Sequence, residues 1–148
     1  MNTRIEPFHS DLQKQVKDFV LDVWKEFGLF YMPEYDSDLD NPEKFYIKTG
    51  GMFYVLKEED KIIGTIGIIN KRDHIAEFKR FYINKNYRGK GCGTMLFNKA
   101  IDYCLKNDFK KVKFATGKAF KQGHKFYKNK GFKVVKENDE DYYMEKFL

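Results

Sequence analysis

Apolar residues recur at helical spacing near the start of the chain. Behind Ser10, residues spaced three and four positions apart predict an amphipathic helix that stops at Gly28; they are Leu12, Val16, Phe19, Val20, Val23, Trp24 and Phe27. Ser10 and Gln13 have the spacing of a capping box, so we expect Ser10 to cap this helix. Asn41-Pro42 predicts the start of a short second helix over residues 43–48.

The rest of the chain is dominated by segments rich in β-branched and aromatic residues. These segments predict seven strands, at residues 3–8, 52–56, 61–69, 75–83, 112–116, 132–135 and 142–147. Two more amphipathic segments predict helices, at residues 94–105 and 119–130. The element order is β α α β β β α β α β β, which indicates a mixed α/β domain. No repeat or low-complexity linker divides the chain, so we expect one domain.

Composition narrows the class of protein. The 148 residues carry 28 basic and 22 acidic side chains, but 24 of the basic ones are lysine. Proteins that read nucleic acid commonly use arginine for bidentate contacts, so this surplus is weak evidence for binding DNA or RNA. The two cysteines and three histidines lack metal-ligand spacing, and no apolar run approaches the ~20 residues that span a bilayer. We expect a reduced, soluble, cytoplasmic protein with no metal.

The most informative motif is Arg88-Gly89-Lys90-Gly91-Cys92-Gly93, between a predicted strand and a predicted helix. Its glycines let a ligand approach the backbone and allow conformations that turn several N–H groups inward. The free amides and positive dipole end of the next helix add to them, so the motif predicts a cradle for phosphate or pyrophosphate. Its spacing differs from dinucleotide and nucleotide-triphosphate loops. We expect Arg88 and Lys90 to add charge at its rim.

Two stretches resemble signatures of the GNAT family of acetyl-CoA-dependent N-acetyltransferases, and the resemblance covers nearly the whole chain. Residues 81–93 resemble the family's fourth strand and pyrophosphate loop, and residues 125–132 resemble its helix that carries a tyrosine and ends in Gly-Phe. The chain departs from the family at Phe120 and Gly123, where Asn and Ala are common. The resemblance implies a single-domain α/β GNAT fold over residues 1–148, with a mixed, mostly antiparallel sheet flanked by helices.

The resemblance also implies how acetyl-CoA binds. The cosubstrate is expected in a V-shaped opening between the fourth and fifth strands, with its pantetheine paired like an added strand. The N–H of Ile83 is expected to polarise the thioester carbonyl, and the loop amides to hold the pyrophosphate. The implied cofactor-binding residues are Phe81, Tyr82, Ile83, Arg88, Gly89, Lys90, Gly91, Cys92, Gly93 and Thr94.

Two side chains are candidates for acid–base catalysis. Tyr127 is expected to protonate the departing CoA thiolate, although most tyrosines on such helices are core residues. Glu77, six residues before Ile83 on the same strand, is the candidate base for the amine. The alternative for Glu77 is a surface glutamate across from a lysine. Lower-ranked candidates for the base are Asp73, His74 and Glu34.

Three further features have two interpretations each. Thr116 either borders the pantetheine or caps the next helix. The acidic residues of segment 34–43 either attract a cationic acceptor or form a solvated loop, and we favour the loop. Cys92 is expected to be an apolar filler and not a nucleophile, because no histidine adjoins it.

The sequence therefore predicts an N-acetyltransferase that moves an acetyl group from acetyl-CoA to a primary amine by direct attack in a ternary complex. The expected acceptor is a small molecule, with a peptide or protein amine second, and a homodimer is compatible with the sequence. Two alternatives stay open: a non-catalytic acyl-CoA sensor on the same fold, and a lysine-rich nucleic-acid-binding module. Membranes are not expected partners.

Overall fold

The computed structural model describes residues 2–148, in which seven strands form one sheet. The strands are β1 (Thr3–Pro7), β2 (Met52–Glu58), β3 (Lys61–Asn70), β4 (Ile75–Ile83), β5 (Lys111–Gly117), β6 (Lys133–Glu137) and β7 (Asp141–Phe147). Their order across the sheet is β1-β2-β3-β4-β5-β7-β6. Among these strands the β4–β5 pair is parallel and the others are antiparallel. The prediction of a mixed, mostly antiparallel sheet is confirmed.

Helices cover both faces of the sheet. They are α1 (Gln13–Lys25), α2 (Pro33–Asp36), α3 (Cys92–Lys106) and α4 (Lys121–Asn129). The apolar stripe of α1 packs on one face, in a core that includes Val20, Trp24 and Phe53. The stripes of α3 and α4 pack on the other face, around Phe78 and Leu96. No helix within residues 2–148 is long and apolar enough to cross a membrane.

The capping box predicted at Ser10 is wrong. Residues Ser10–Leu12 form a 3₁₀ turn with no side-chain cap, and the α-helix begins only at Gln13. The Gln13 side chain instead donates to the backbone carbonyl of Asp40, which draws it away from the helix start. The Asn41 cap does form, since its Oδ1 accepts from the Lys44 N–H at 3.1 Å, but the turn that follows, Glu43–Ile47, is π-helical.

Strands β4 and β5 diverge at the end that faces the glycine motif. Their parallel ladder stops at the pair Phe78 and Phe114, although β4 continues to Ile83 and β5 to Gly117. Beyond that pair, β4 remains bonded to β3 and β5 remains bonded to β7. Because each strand follows a different neighbour, their facing edges separate and leave a V-shaped opening with unpaired backbone groups.

Candidate active site

The V-shaped opening lies at the base of a cleft with a volume of about 1180 Å³. Ten of the twelve predicted site residues line it: Glu77, Phe81, Tyr82, Ile83, Arg88, Gly89, Gly91, Gly93, Thr94 and Tyr127. The two others are Lys90, which is exposed, and Cys92, the first residue of α3, whose side chain is buried in the core. Sequence reasoning therefore selected residues that the fold brings to one place.

The glycine motif leaves its backbone open toward the cleft. Gly89 and Gly91 have φ values of +75° and +87°, and a Cβ built on either would meet no atom within 4 Å. Gly91 caps α3, which begins at Cys92, two residues earlier than predicted. The Met95 N–H bonds to the Gly91 carbonyl, so the preceding amides, those of the first turn, have no partner within the helix. Open space in front of free amides fits an anionic group such as pyrophosphate.

Arg88 does not stand free at the rim as expected. Its guanidinium makes a bidentate ion pair with Glu26 at 2.9 and 3.0 Å, just beyond the end of α1. Its Nε donates to the Ile83 carbonyl at 2.9 Å. Arg88 therefore ties the glycine motif to both α1 and the end of β4, and the exposed Lys90 is the motif's more available charge.

The backbone of β4 presents two amides to the opening. The Asn84 N–H donates to Ile63 of β3, and neighbouring amides of an extended strand point to opposite sides. The N–H groups of Ile83 and, two residues earlier, Phe81 therefore point away from β3 and into the opening. The side chain of Tyr82 lies on the α1 face, where its hydroxyl accepts from Trp24 Nε1 at 2.9 Å.

Tyr127 reaches the cleft from α4 through an aromatic cluster. Its ring centre lies 3.9 Å from that of Phe114 and 5.9 Å from that of Phe81, and only 2% of the residue is exposed. Burial, with a smaller contribution from Tyr82, raises the pKa of Tyr127 well above its ordinary value of 10.0. The hydroxyl therefore keeps its proton at neutral pH, as a general acid must. The same packing gives Tyr127 the core role that was its alternative interpretation, and its role as the acid stays a prediction.

Glu77 lies on the cleft wall where β4 and β5 are still paired. It is opposite Lys113 in the ladder, and its carboxylate is 3.7 Å from Lys71 Nζ. Four residues separate it from Phe81, which is about 13 Å along a strand, so a proton from an amine near Phe81 needs a water path to reach it. The lower-ranked candidate His74 lies in the β3–β4 turn with its Nδ1 bonded to the Asp108 carbonyl, outside this cleft.

The interpretation of segment 34–43 as a solvated loop is wrong for two of its carboxylates. Asp36 and Asp38 are buried and both pair with Arg80 of β4, at 3.1 and 2.7 Å. Asp38 also accepts from Arg80 Nε at 3.0 Å and from the Tyr46 hydroxyl. Burial alone would raise the pKa of Asp38, but the hydrogen bonds and charge of Arg80 outweigh it and lower the pKa. These carboxylates are not free to attract a cationic acceptor.

Arg80 is the residue of this site that sequence reasoning missed. It lines the cleft, is 9% exposed, and has a left-handed φ of +58° in the middle of a strand. The local signal is weak: Phe78-Lys79-Arg80-Phe81 places two polar residues between two aromatic ones, which interrupts the alternation of a strand but does not give the backbone conformation. Thr116 is buried on the cleft wall, and the N-cap of α4 is Phe120, so the capping interpretation of Thr116 is wrong.

The chain is similar to known proteins in both sequence and fold. The family model described as "Acetyltransferase (GNAT) family" matches residues 17–132, which include both glycine-containing signatures. The chain belongs to the GNAT family. Among curated proteins it is 31% identical over 101 residues to the N-acetylaspartate synthetase of Xenopus tropicalis, which is 67% of this chain and 37% of that protein. It is 28% identical over 100 residues to streptothricin acetyltransferase A of Bacillus subtilis, which is 65% of this chain and 57% of that one.

Solved GNAT structures confirm the predicted fold over the whole chain. An acetyltransferase of this family from Staphylococcus aureus superposes with a TM-score of 0.93 at 25% identity, with 99% of each chain covered. PaiA N-acetyltransferase from Thermoplasma acidophilum, solved in complex with coenzyme A, superposes with a TM-score of 0.83 at 21% identity, with 100% of each chain covered. The chain matches 37% of the length of the first of these curated relatives and 57% of the length of the second, which is less than two thirds of either. Within residues 2–148 no group of His, Cys, Asp or Glu side chains is placed to hold a metal ion.

Proposed function

We propose that this GNAT domain transfers an acetyl group from acetyl-CoA to a primary amine by direct attack in a ternary complex. One observation supports this best: the β4–β5 opening and the free amides at the start of α3 lie in one cleft, at the two ends that a thioester and a pyrophosphate would occupy. The loop amides and Lys90 would hold the pyrophosphate. The amides of Phe81 and Ile83 face the region for the thioester, where the resemblance singled out Ile83.

Acid and base come from opposite walls of the same cleft. Tyr127, which is protonated at neutral pH and whose pKa burial raises further, would donate a proton to the departing thiolate. Glu77 would take the amine's proton through water, since it lies too far along β4 for direct contact. A small-molecule amine is the first candidate acceptor and a peptide amine the second. The relatives are named for N-acetylaspartate and for streptothricin, so aspartate and streptothricin belong in any acceptor panel.

Ligand binding and turnover test this proposal separately. Acetyl-CoA at about 100 times its Kd should add roughly 2.7 kcal/mol to the stability of the native state and raise Tm. Gly91→Arg should abolish that rise by filling the space in front of the amides. Gly28→Arg is the matched control, because Gly28 has a φ of +70° and equally open surroundings but does not line the cleft.

Turnover is then measured as thiol release with a panel of amines. Release with one or more amines supports the proposal. Binding of acetyl-CoA without release with any amine would favour the acyl-CoA sensor, and no change in Tm at millimolar acetyl-CoA would refute both.

A further inference from the structure

The Arg80 backbone is unusual for a strand that borders the cleft. Its φ of +58° lies in the left-handed region, which non-glycine residues adopt rarely. Such conformations persist only where the surroundings hold them, and they concentrate at functional sites. The surroundings of Arg80 therefore indicate what the conformation does.

The left-handed residue forms a bulge in β4. Thr65 of β3 lies opposite Tyr82, whereas Gly67 lies opposite Lys79, so Arg80 and Phe81 together face the single residue Ile66. Before the bulge, the β4 residues whose backbone groups bond toward β3 are odd-numbered, since the Ile75 carbonyl accepts from the Lys71 N–H. Beyond the bulge they are even-numbered, as the Asn84 bond shows. The bulge therefore turns the backbone N–H of Phe81 away from β3 and toward the opening.

One hydrogen bond fixes the peptide plane at this point. The Thr65 hydroxyl, which is fully buried, donates to the Arg80 carbonyl at 2.8 Å. In a trans peptide the carbonyl of Arg80 and the N–H of Phe81 point in opposite directions. Because the carbonyl is held toward β3, the Phe81 N–H is held toward the opening.

The Arg80 side chain secures the same plane from the α1 face. Its guanidinium is fixed by both Asp38 oxygens and by Asp36, and it lies 5.2 Å from the ring centre of Trp24. These contacts come from α1 and from segment 33–40, which lie outside the sheet. The ion pairs therefore join the bulge to segment 33–40 and restrict its movement.

We infer that Thr65 and Arg80 are positioning residues that aim the Phe81 N–H at the thioester carbonyl of acetyl-CoA. The inference rests on the proposed function, in which the Phe81 and Ile83 amides face the thioester, and adds to it the two side chains that orient the Phe81 amide. The amide hydrogen bond polarises the carbonyl toward attack by the amine, and no covalent bond to the protein forms. Neither side chain needs to touch the cosubstrate.

The sequence offers a selective probe, because Arg80-Phe81 is the one Arg-Phe pair in the chain. Carbonyl ¹³C-arginine combined with ¹⁵N-phenylalanine gives a single amide signal, that of Phe81. Binding is first established by the change in Tm, whose absence would refute the proposed function itself. In the wild type, saturating acetyl-CoA should then shift the Phe81 amide proton downfield, and CoA, which lacks the carbonyl, should not.

Two variants test positioning against a matched control. Thr65→Val removes the hydroxyl with little change in volume, and Arg80→Lys removes the fork that binds Asp38. Both should reduce the difference in the Phe81 amide proton shift between the acetyl-CoA and CoA complexes. Both should also lower kcat about ten-fold, which is less than the roughly 100-fold loss from deleting an oxyanion donor. The Kd for acetyl-CoA should not change. The control Arg72→Lys, at an exposed residue with a φ of +72°, should match the wild type. Equal shifts with both ligands, or variants that behave like the wild type, would overturn the inference.

Discussion

The buried ion pair between Asp38 and Arg80 predicts a large loss of stability on Asp38→Ala. Asp38 is 3% exposed and Arg80 is 9% exposed, so neither charge is compensated by water. Asp38 accepts two hydrogen bonds from the guanidinium, at 3.0 and 2.7 Å, and one from Tyr46. The variant would leave Arg80 buried with Asp36 as its remaining acidic partner. Breaking a buried pair by removing one partner costs about 3–5 kcal/mol.

A change of that size is easily measured. For a chain of this length, each 1 kcal/mol lowers Tm by roughly 2–4 °C, so Asp38→Ala should lower it by about 6–20 °C. Asp40→Ala is the matched control from the same acidic segment, because Asp40 pairs with Lys17 at the surface. An exposed pair contributes about 0–1 kcal/mol. Urea unfolding followed by circular dichroism measures both variants, and equal losses would refute the assignment of a buried, tightly coupled pair.

The pH dependence of stability provides a second measurement of the same pair. The pKa of Asp38 is lower in the folded protein than its ordinary value of 3.8. A depressed carboxyl pKa stabilises the native state above the unfolded-state value and loses that effect as the pH falls below it. The wild type should therefore lose stability relative to Asp38→Ala as the pH falls through the unfolded-state pKa, which is about 4, and below it. A constant difference across that range would contradict the ionised state of Asp38.

Three further outcomes are expected. Tyr127→Phe should lower kcat by about 100-fold and leave acetyl-CoA affinity unchanged, as initial rates and calorimetry would show; unchanged kcat would remove Tyr127 as the acid. Glu77→Gln should lower kcat and leave the Kd for acetyl-CoA unchanged, and an unchanged kcat would exclude it as the base. Burial raises the pKa of Cys92 above 9.0, and that of Cys104 to about 12, so neither thiol should react with a thiol reagent at pH 7 until the protein is unfolded.

The sheet and the glycine motif were predictable because their signals are local. Alternation and β-branched content located every strand to within about two residues, since the period of a strand is set by its own backbone. The motif at residues 88–93 was recognisable because closely spaced glycines between a strand and a helix permit positive φ, which Gly89 and Gly91 adopt. Both signals need no knowledge of distant parts of the chain.

The helix start and the bulge were not predictable in the same way. Ser10 and Gln13 have the right spacing for a capping box, but Gln13 bonds to Asp40, which is 27 residues away. Arg80, at the bulge, bonds to Asp38, which is 42 residues away. A local pattern competes in each case with a tertiary contact, and the tertiary contact determines the outcome.

The distribution of charge changes meaning once these contacts are known. One interpretation of the acidic segment was that it attracts a cationic acceptor. However, Asp36 and Asp38 are bound to Arg80, and Asp40 is bound to Lys17. Arg88 suggested a free cation for pyrophosphate, but Glu26 holds it. These acidic and arginine side chains are therefore neutralised by partners within the fold. We therefore expect binding of the pyrophosphate to depend on the oriented amides at the start of α3 and on Lys90, and only the contribution of the exposed Lys90 should be strongly screened by salt.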